Sequence, residues 1–272
     1  MDGKQVRDAL RGGRRVYATA MVAPSPGWPR ALQKVGVDFV FIDSEHTPLD
    51  RGTLSWLCQA FSALNIAPVV RISSPDPYEA SRVLDGGAAG IIAPYIETAE
   101  QVRQLMGPTR YRPLKGERLQ QAVRDPSTLE PELREYLEQR NRQTIFIANI
   151  ESTPGLKNLD EIVSLGALDS VLIGPHDLSC SLGIPEQYEH PRFAEAVREI
   201  FQKARRGNCG AGIHWWNGVG DELSWAQAGA NLIMHSTDVT LVVQHLQQEL
   251  KGLRRRLGES DSQVPPVGDV SV

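Results

Sequence analysis

A single (β/α)8 barrel, an α/β fold of the TIM type closed by a long C-terminal helix, is the architecture this sequence predicts, on three observations. Short apolar runs rich in β-branched residues recur about eight times, amphipathic stretches separate them, and composition does not break at mid-chain as two domains would require. Most of the runs are apolar throughout rather than alternating, which is how strands read when both faces of a parallel sheet are covered. A doubly wound open sheet is the main alternative. No GxGxxG follows the first strand and no GxxxxGK[ST] occurs, which disfavours its nucleotide-binding versions.

Taken in order, the strand candidates are residues 16–20, 39–43, 68–72, 90–96, 145–151, 170–175, 211–215 and 231–236, each bounded by turn-forming residues. Residues 28–36, 54–64, 77–87, 97–106, 156–166, 193–207 and 221–229 carry apolar positions three or four apart, and several end in Gly, a favourable helix stop. Residues 237–257 read as a long helix with Val239, Val242, Val243, Leu246, Leu250 and Leu253 on one stripe, ready to pack on the barrel or on another subunit. The stretch 107–144 is the one long interruption, and connections of that length often cover active sites. The barrel with its terminal helix is assigned to residues 1–257, and a mobile tail without periodicity to 258–272.

The 272 residues are 41% hydrophobic and 23% charged, enough to bury a substantial core. A net charge of −4 supplies no basic surface for nucleic acid or anionic lipid. Cys58, Cys180 and Cys209 are odd in number, far apart and without zinc-binding spacing, which fits a reducing compartment. The charged N-terminus lacks an apolar signal segment and no apolar run has spanning length, so a cytoplasmic protein without membrane partners is expected.

Chemistry in a barrel is built at the carboxyl ends of its strands. Glu151 and Asp177 close the fifth and sixth runs, and two carboxylates at neighbouring strand ends repel unless a cation sits between them. Each taken alone reads equally well as a helix cap or a solvent-facing acid. The second run delivers Asp43, Glu45 and His46, the third Arg71 and the fifth also Asn149, while Asp85 lies late in the helix before the fourth run. Arg71 by itself reads as a rim salt bridge and Asp85 as a surface acid. His190 reads as a helix-start residue, His214 as a barrel-interior or rim residue and His245 as helix surface. Trp215 and Trp216 fit core or interface packing better than an acceptor wall.

The segments FVFIDSEHTPLD, PVVRI, RVLDGGAAGIIAPYIETAEQVRQLM and NIESTPGLKNLDEIVSLGALDSVLIGPHDLSCSLG resemble the HpcH/HpaI aldolase family of metal-dependent 2-oxo-acid lyases, from about Leu10 to about Leu250. The resemblance implies a (β/α)8 barrel that assembles as a homo-oligomer, a trimer or hexamer, through its C-terminal helix. It implies a divalent metal on Glu151 and Asp177, with oxygen ligands suiting Mg2+, Mn2+ or Co2+ and Zn2+ a further option. Water and a pyruvate-like 2-oxo acid would complete the shell, with backbone N–H groups near Pro175, His176 and Asp177 holding the substrate carboxylate. Arg71 would lie beside the keto oxygen, His46 would take the proton of the acceptor hydroxyl, and Asp85 would orient His46.

Three departures stand out against the family's pattern. Asn149 replaces a common Gln and is one methylene shorter, so any contact from that side chain to substrate must be longer or water-mediated. His176 and His235 stand where small residues are usual, and Gly116–Gln120 replaces a glycine-rich R-G-x-G stretch that helps line the acceptor side. The implied reaction is reversible cleavage of a 4-hydroxy-2-oxo acid to pyruvate and an aldehyde through an enolate. Decarboxylation of oxaloacetate or another carbon–carbon bond-forming step through the same enolate is the alternative, and a metal- and oxo-acid-binding barrel without turnover is a third.

Overall fold

The computed structural model describes residues 1–259; the tail assigned to 258–272 therefore lies outside the described residues from 260 onward. The chain begins with a helix, α1 (Gly3–Arg11), that the sequence reading left out. Asp2 caps it: its carboxylate accepts from the Gln5 amide and the Gln5 side chain returns a bond to the Asp2 amide. Then follow β1 (Val16–Met21), α2 (Trp28–Val35), β2 (Phe39–Asp43), α3 (Arg51–Ser62), β3 (Ala67–Arg71), α4 (Pro77–Asp85) and β4 (Gly90–Ala93). The long interruption holds the end of α5 (Ala99–Arg110), then α6 (Gly116–Arg124) and α7 (Pro131–Asn141). The remainder runs β5 (Ile145–Asn149), α8 (Thr153–Lys157), α9 (Leu159–Ser164), β6 (Ser170–Ile173), α10 (Pro175–Ser181), α11 (Pro191–Arg206), β7 (Gly210–Trp215), α12 (Val219–Gln227), β8 (Leu232–Thr237) and α13 (Asp238–Leu257).

The eight strands pair in parallel and in chain order, β8 closing on β1, so the predicted barrel is the observed fold. Strands β3, β4, β5 and β6 stop one to three residues short of the predicted limits, because residues that deliver chemistry, such as Glu151 and Pro175, leave the ladder, whereas β1 and β8 run one residue further. Inside the barrel Val16, Ala18, Phe39, Phe41, Val69, Ile147, Leu172 and Met234 form one apolar cluster, and the alternate residues of the same strands pack outward beneath the helices. Gly212 is required by this closeness: a Cβ there would lie 2.2 Å from the Leu232 carbonyl oxygen.

The two ends of the barrel have different tasks. At the amino ends of the strands Asp169, fully buried, gathers Arg7 and Arg11 of α1 at 3.0 and 2.6 Å and Arg110 of α5 at 2.7 Å. Burial raises the Asp169 carboxyl, but the three guanidiniums outweigh it and hold the group below its ordinary value. Burial likewise pulls Arg110 down to about 10, so both partners stay charged at neutral pH.

The excursion 107–144 sits at this same end. Arg110 bonds the Thr144 and Ala167 carbonyls, and Asn141 bonds the Arg112 carbonyl. Within a single chain it neither covers the active site nor brings Gly116–Gln120 to the acceptor side. The reason is directional: α5 carries the chain away from the strand carboxyl ends, and β5 restarts where α5 stops. Its own small core is Ala122, Leu129 and Leu137.

Helix α13 packs only its first turn on β1 and β8; Val242, Leu246, Leu250 and Leu253 remain 39–55% exposed. Beside it runs an apolar groove of about 860 Å3 lined by Tyr17, Trp28, Leu32, Val219, Leu223 and Val242. Among the described residues no helix is long and apolar enough to cross a membrane.

Candidate active site

Strand geometry brings Glu151 and Asp177 together. Each follows a strand end, and Gly174 lies between them: a Cβ on Gly174 would stand 2.8 Å from Glu151 Oε2 and 3.4 Å from Asp177 Oδ2. The two carboxylate oxygens thus converge on one glycine-made hollow. Glu151 is 7% exposed, whereas Asp177, in the first turn of α10, faces solvent. Burial first, then the Asp177 and Glu45 carboxylates, raise the Glu151 pKa, only partly offset by the amide of Tyr95, which donates to Glu151 Oε1 at 2.7 Å. Crowded acidic oxygens with a raised pKa are what a divalent cation relieves, so the donor set fits a hard cation. Among the described residues no three His, Cys, Asp or Glu side chains gather as metal ligands. The candidate donors the chain brings together here are the two carboxylates.

Asn149 is buried beneath this pair. Its Nδ2 donates to Glu151 Oε2 at 3.1 Å, and its Oδ1 is buried without a partner. A buried orphan acceptor costs free energy unless something fills the site above it.

Arg71 closes the opposite wall. Its Nε and Nη2 donate to the two oxygens of Asp43 at 2.9 and 2.7 Å, Nε also meets Glu45 Oε2 at 3.1 Å, and the guanidinium lies 5.3 Å over the Phe41 ring. Burial lowers the Arg71 pKa, but the Asp43 bonds outweigh it and the cation is held above its usual value. Burial raises Asp43, and Arg71 again outweighs it, leaving that carboxyl low. The rim salt bridge and the site cation are thus one arrangement. Glu45 takes part in it.

His46, on the same turn as Glu45, stands at the mouth with Nε2 3.8 Å from Glu45 Oε2. Asp85 does not accompany it. As the last residue of α4 it sits at the amino end of the barrel, exposed and paired with Arg112, so within one chain the expected contact with His46 is not made. The helix that returns from the end of β3 must finish where β4 begins, which is the face away from the chemistry.

His176 also departs from expectation. Its ring turns along the exposed flank of α10 toward Cys180 Sγ at 3.9 Å and Glu186 at 3.7 Å, not over the carboxylate hollow. His235 faces outward on β8 and bonds Glu222 at 2.9 Å on the floor of the apolar groove. His214 Nε2 lies 3.0 Å from the Ser236 carbonyl at the barrel mouth, its ring between Phe41 and Trp216. His190 caps α11 and His245 lies on the surface of α13, as their sequence context implied. Trp215 is core, packed among Tyr188, Phe193 and Trp225.

Tyr95 went unnoticed in the sequence. It follows Pro94 at the end of β4, adopts a left-handed backbone (φ 55°) and is 49% exposed, its amide bonded to Glu151. An aromatic residue directly after the strand-ending proline was the available signal.

The HpcH/HpaI aldolase/citrate lyase family model matches residues 25–245. The hydroxypyruvate/pyruvate aldolase of Deinococcus radiodurans is 34% identical, the match covering 76% of this chain and 74% of that one. The 2-keto-3-deoxy-L-rhamnonate aldolase of Salmonella gallinarum is 32% identical, covering 79% and 80%. Among solved structures, the citrate synthase SbnG superposes with a TM-score of 0.79 at 29% identity, covering 93% of this chain and 98% of that one. With a family model spanning most of its length and a closed eight-stranded barrel carrying the expected acidic pair at its mouth, the chain belongs to the HpcH/HpaI aldolase/citrate lyase family.

Proposed function

We propose that this 2-oxo-acid aldolase reversibly cleaves a 4-hydroxy-2-oxo acid to pyruvate, or a close 2-oxo acid, and an aldehyde. The convergence of Glu151 and Asp177 over Gly174, facing the Arg71 cation across the mouth, carries this reading. A divalent cation, Mg2+, Mn2+ or Co2+ by the hardness of its oxygen ligands, supplies Lewis-acid stabilisation of negative charge at the keto oxygen. Glu151 and Asp177 hold that cation, and Asn149 fixes the Glu151 carboxylate that does so. Arg71, locked by Asp43 and Glu45, keeps a fixed positive charge where the enolate oxygen develops, so no side-chain reorganisation is needed as the bond breaks. The backbone N–H groups of His176 and Asp177, on the turn that Pro175 opens, take the substrate carboxylate. His46 moves the proton of the acceptor hydroxyl.

The exposed leucine stripe of α13 beside an apolar groove supports a homo-oligomer, a trimer or hexamer, in which a second copy covers one or both surfaces. In such an assembly Asp85 can reach His46 only across a subunit interface. Three unpaired cysteines, two of them buried with thiols pushed up to about 12, suit a cytoplasmic, reducing setting.

The test is deuterium exchange at the methyl group of pyruvate by purified protein with Mg2+ or Mn2+. Exchange is expected; its absence under both ions would remove the enolate from the account. The likeness to a citrate synthase favours one second reading, in which the same enolate attacks a keto acid or forms by decarboxylation. Oxaloacetate supplied without aldehyde separates the two, since only decarboxylation releases CO2.

A further inference from the structure

Within one chain the 107–144 excursion stays away from the mouth, yet it builds a cavity of its own. Between α7 with the turn before it, the end of α5 and the segment after α9 lies a space of about 240 Å3 at the amino end of the barrel. Met106, Leu129, Leu137 and Leu165 give it apolar walls. Three guanidiniums, Arg7 of α1, Arg110 of α5 and Arg134 of α7, line it against one acid, Glu138. Asp169, buried outside the lining, binds Arg7 and Arg110 but also Arg11, so four arginines share two carboxylates in and behind the cavity. Two positive charges are left over. Burial first, and the Arg7 and Arg11 charges after it, pull the Arg110 pKa down to about 10 even with Asp169 attached. Unbalanced positive charge in a partly dry place draws in an anion.

The three arginines differ in what they can still offer. Arg110 is used up, its nitrogens donating to the carbonyls of Thr109, Thr144 and Ala167 and to Asp169. Arg7 donates Nε to Asp169 at 3.0 Å and reaches the Asn141 and Arg142 carbonyls only at 3.5 and 3.4 Å, contacts long enough to yield to a better acceptor. Arg134, exposed on α7, commits Nη2 to the Leu129 carbonyl at 3.1 Å and keeps the rest of its fork. Guanidinium donors thus stand beside apolar walls, the two halves of a site for an amphipathic anion.

We propose that this cavity is a second binding site, for a small organic monocarboxylate with an apolar body, its carboxylate held by Arg7 and Arg134 and its body against Met106, Leu129 and Leu137. A charge-assisted fork to the carboxylate supplies the specificity, and buried apolar area adds affinity. The volume lies just under the range of about 300–1,000 Å3 that ligand sites usually enclose, so the partner is smaller than a nucleotide.

The experiment is isothermal titration calorimetry of the full-length protein with Mg2+, comparing three probes. Benzoate carries both features; benzamide has its shape without the charge, and acetate the charge without the body. Benzoate is expected to bind one site per chain, about tenfold or more tightly than either of the others. Arg134→Gln changes an exposed side chain remote from the mouth, so its circular dichroism should match wild type. It should weaken benzoate about tenfold and remove the rise in melting temperature that benzoate gives wild type. The proposal is overturned by equal affinity for benzoate and benzamide, by acetate binding as tightly as benzoate, or by no saturable binding of benzoate. Undiminished benzoate affinity in Arg134→Gln overturns it as well, since the anion would then sit elsewhere, the mouth included.

Discussion

Arg71 binds two carboxylates in a planar fork that a lysine cannot reproduce. Arg71→Lys is therefore expected to lower kcat about 10²- to 10³-fold in steady-state cleavage assays, the scale on which a lost oxyanion donor acts. Gly174 gives a second prediction. In Gly174→Ala the new methyl would press on Glu151 Oε2, so Mg2+ or Mn2+ should no longer raise the melting temperature, while the circular dichroism spectrum stays that of the barrel. Glu151, Asp177, Arg71 and His46 were legible because strand ends deliver side chains to one face whatever the loops do. Within one chain Asp85 does not meet His46, because nearness in sequence to β4 means nearness to its amino end. His176 was misplaced because successive helical residues diverge by about 100°, so the neighbour of a site residue on α10 points elsewhere. Tyr95 depended on a backbone angle that no spacing rule reveals.

At the scale of elements, every strand and most helices followed from apolar runs and their turns, since both faces of most strands are buried, Tyr17 of β1 and His235 of β8 being outward exceptions. Two of the exceptions are informative. Helix α1 is short and charged, marked by its cap at Asp2 and by Val6, Ala9 and Leu10 buried at helical spacing. The excursion 107–144 was recognisable as an insertion, but its end of the barrel is set by the direction of α5. Helix α13 carries its own prediction: Leu246→Glu with Leu250→Glu should shift the protein to a smaller species in light scattering, because charge on an exposed apolar stripe opposes burial against a second copy. His235 and Glu222, on the floor of the groove, predict a pH effect. The Glu222 bond raises the His235 pKa despite burial, so this pair stabilises fully below the unfolded imidazole value of about 6.5 and loses its contribution as pH rises through the folded one. The melting temperature of wild type should fall across that window relative to its value at lower pH, and Glu222→Gln should flatten this component of the profile.

Across the whole molecule, chemistry and cohesion occupy opposite ends. Asp169 joins α1, α5 and the starts of β5 and β6, its Oδ2 also accepting from the Phe146 amide at 2.9 Å. Asp169→Asn leaves three arginines facing a neutral amide and should cost about 3–5 kcal/mol in urea unfolding, while the folded protein retains pyruvate exchange. Because the Asp169 pKa is depressed in the fold, its contribution is present above the ordinary carboxyl value of about 3.8 and is lost as pH falls toward the folded one. Acid unfolding of the wild type is therefore expected to begin at this end of the barrel. The placement of the 107–144 excursion has a practical corollary. Ser127, at its exposed tip, is separated from the mouth by the full length of the strands, so a dye, a bead or a solid support coupled at that position would leave the catalytic opening of the chain facing free liquid.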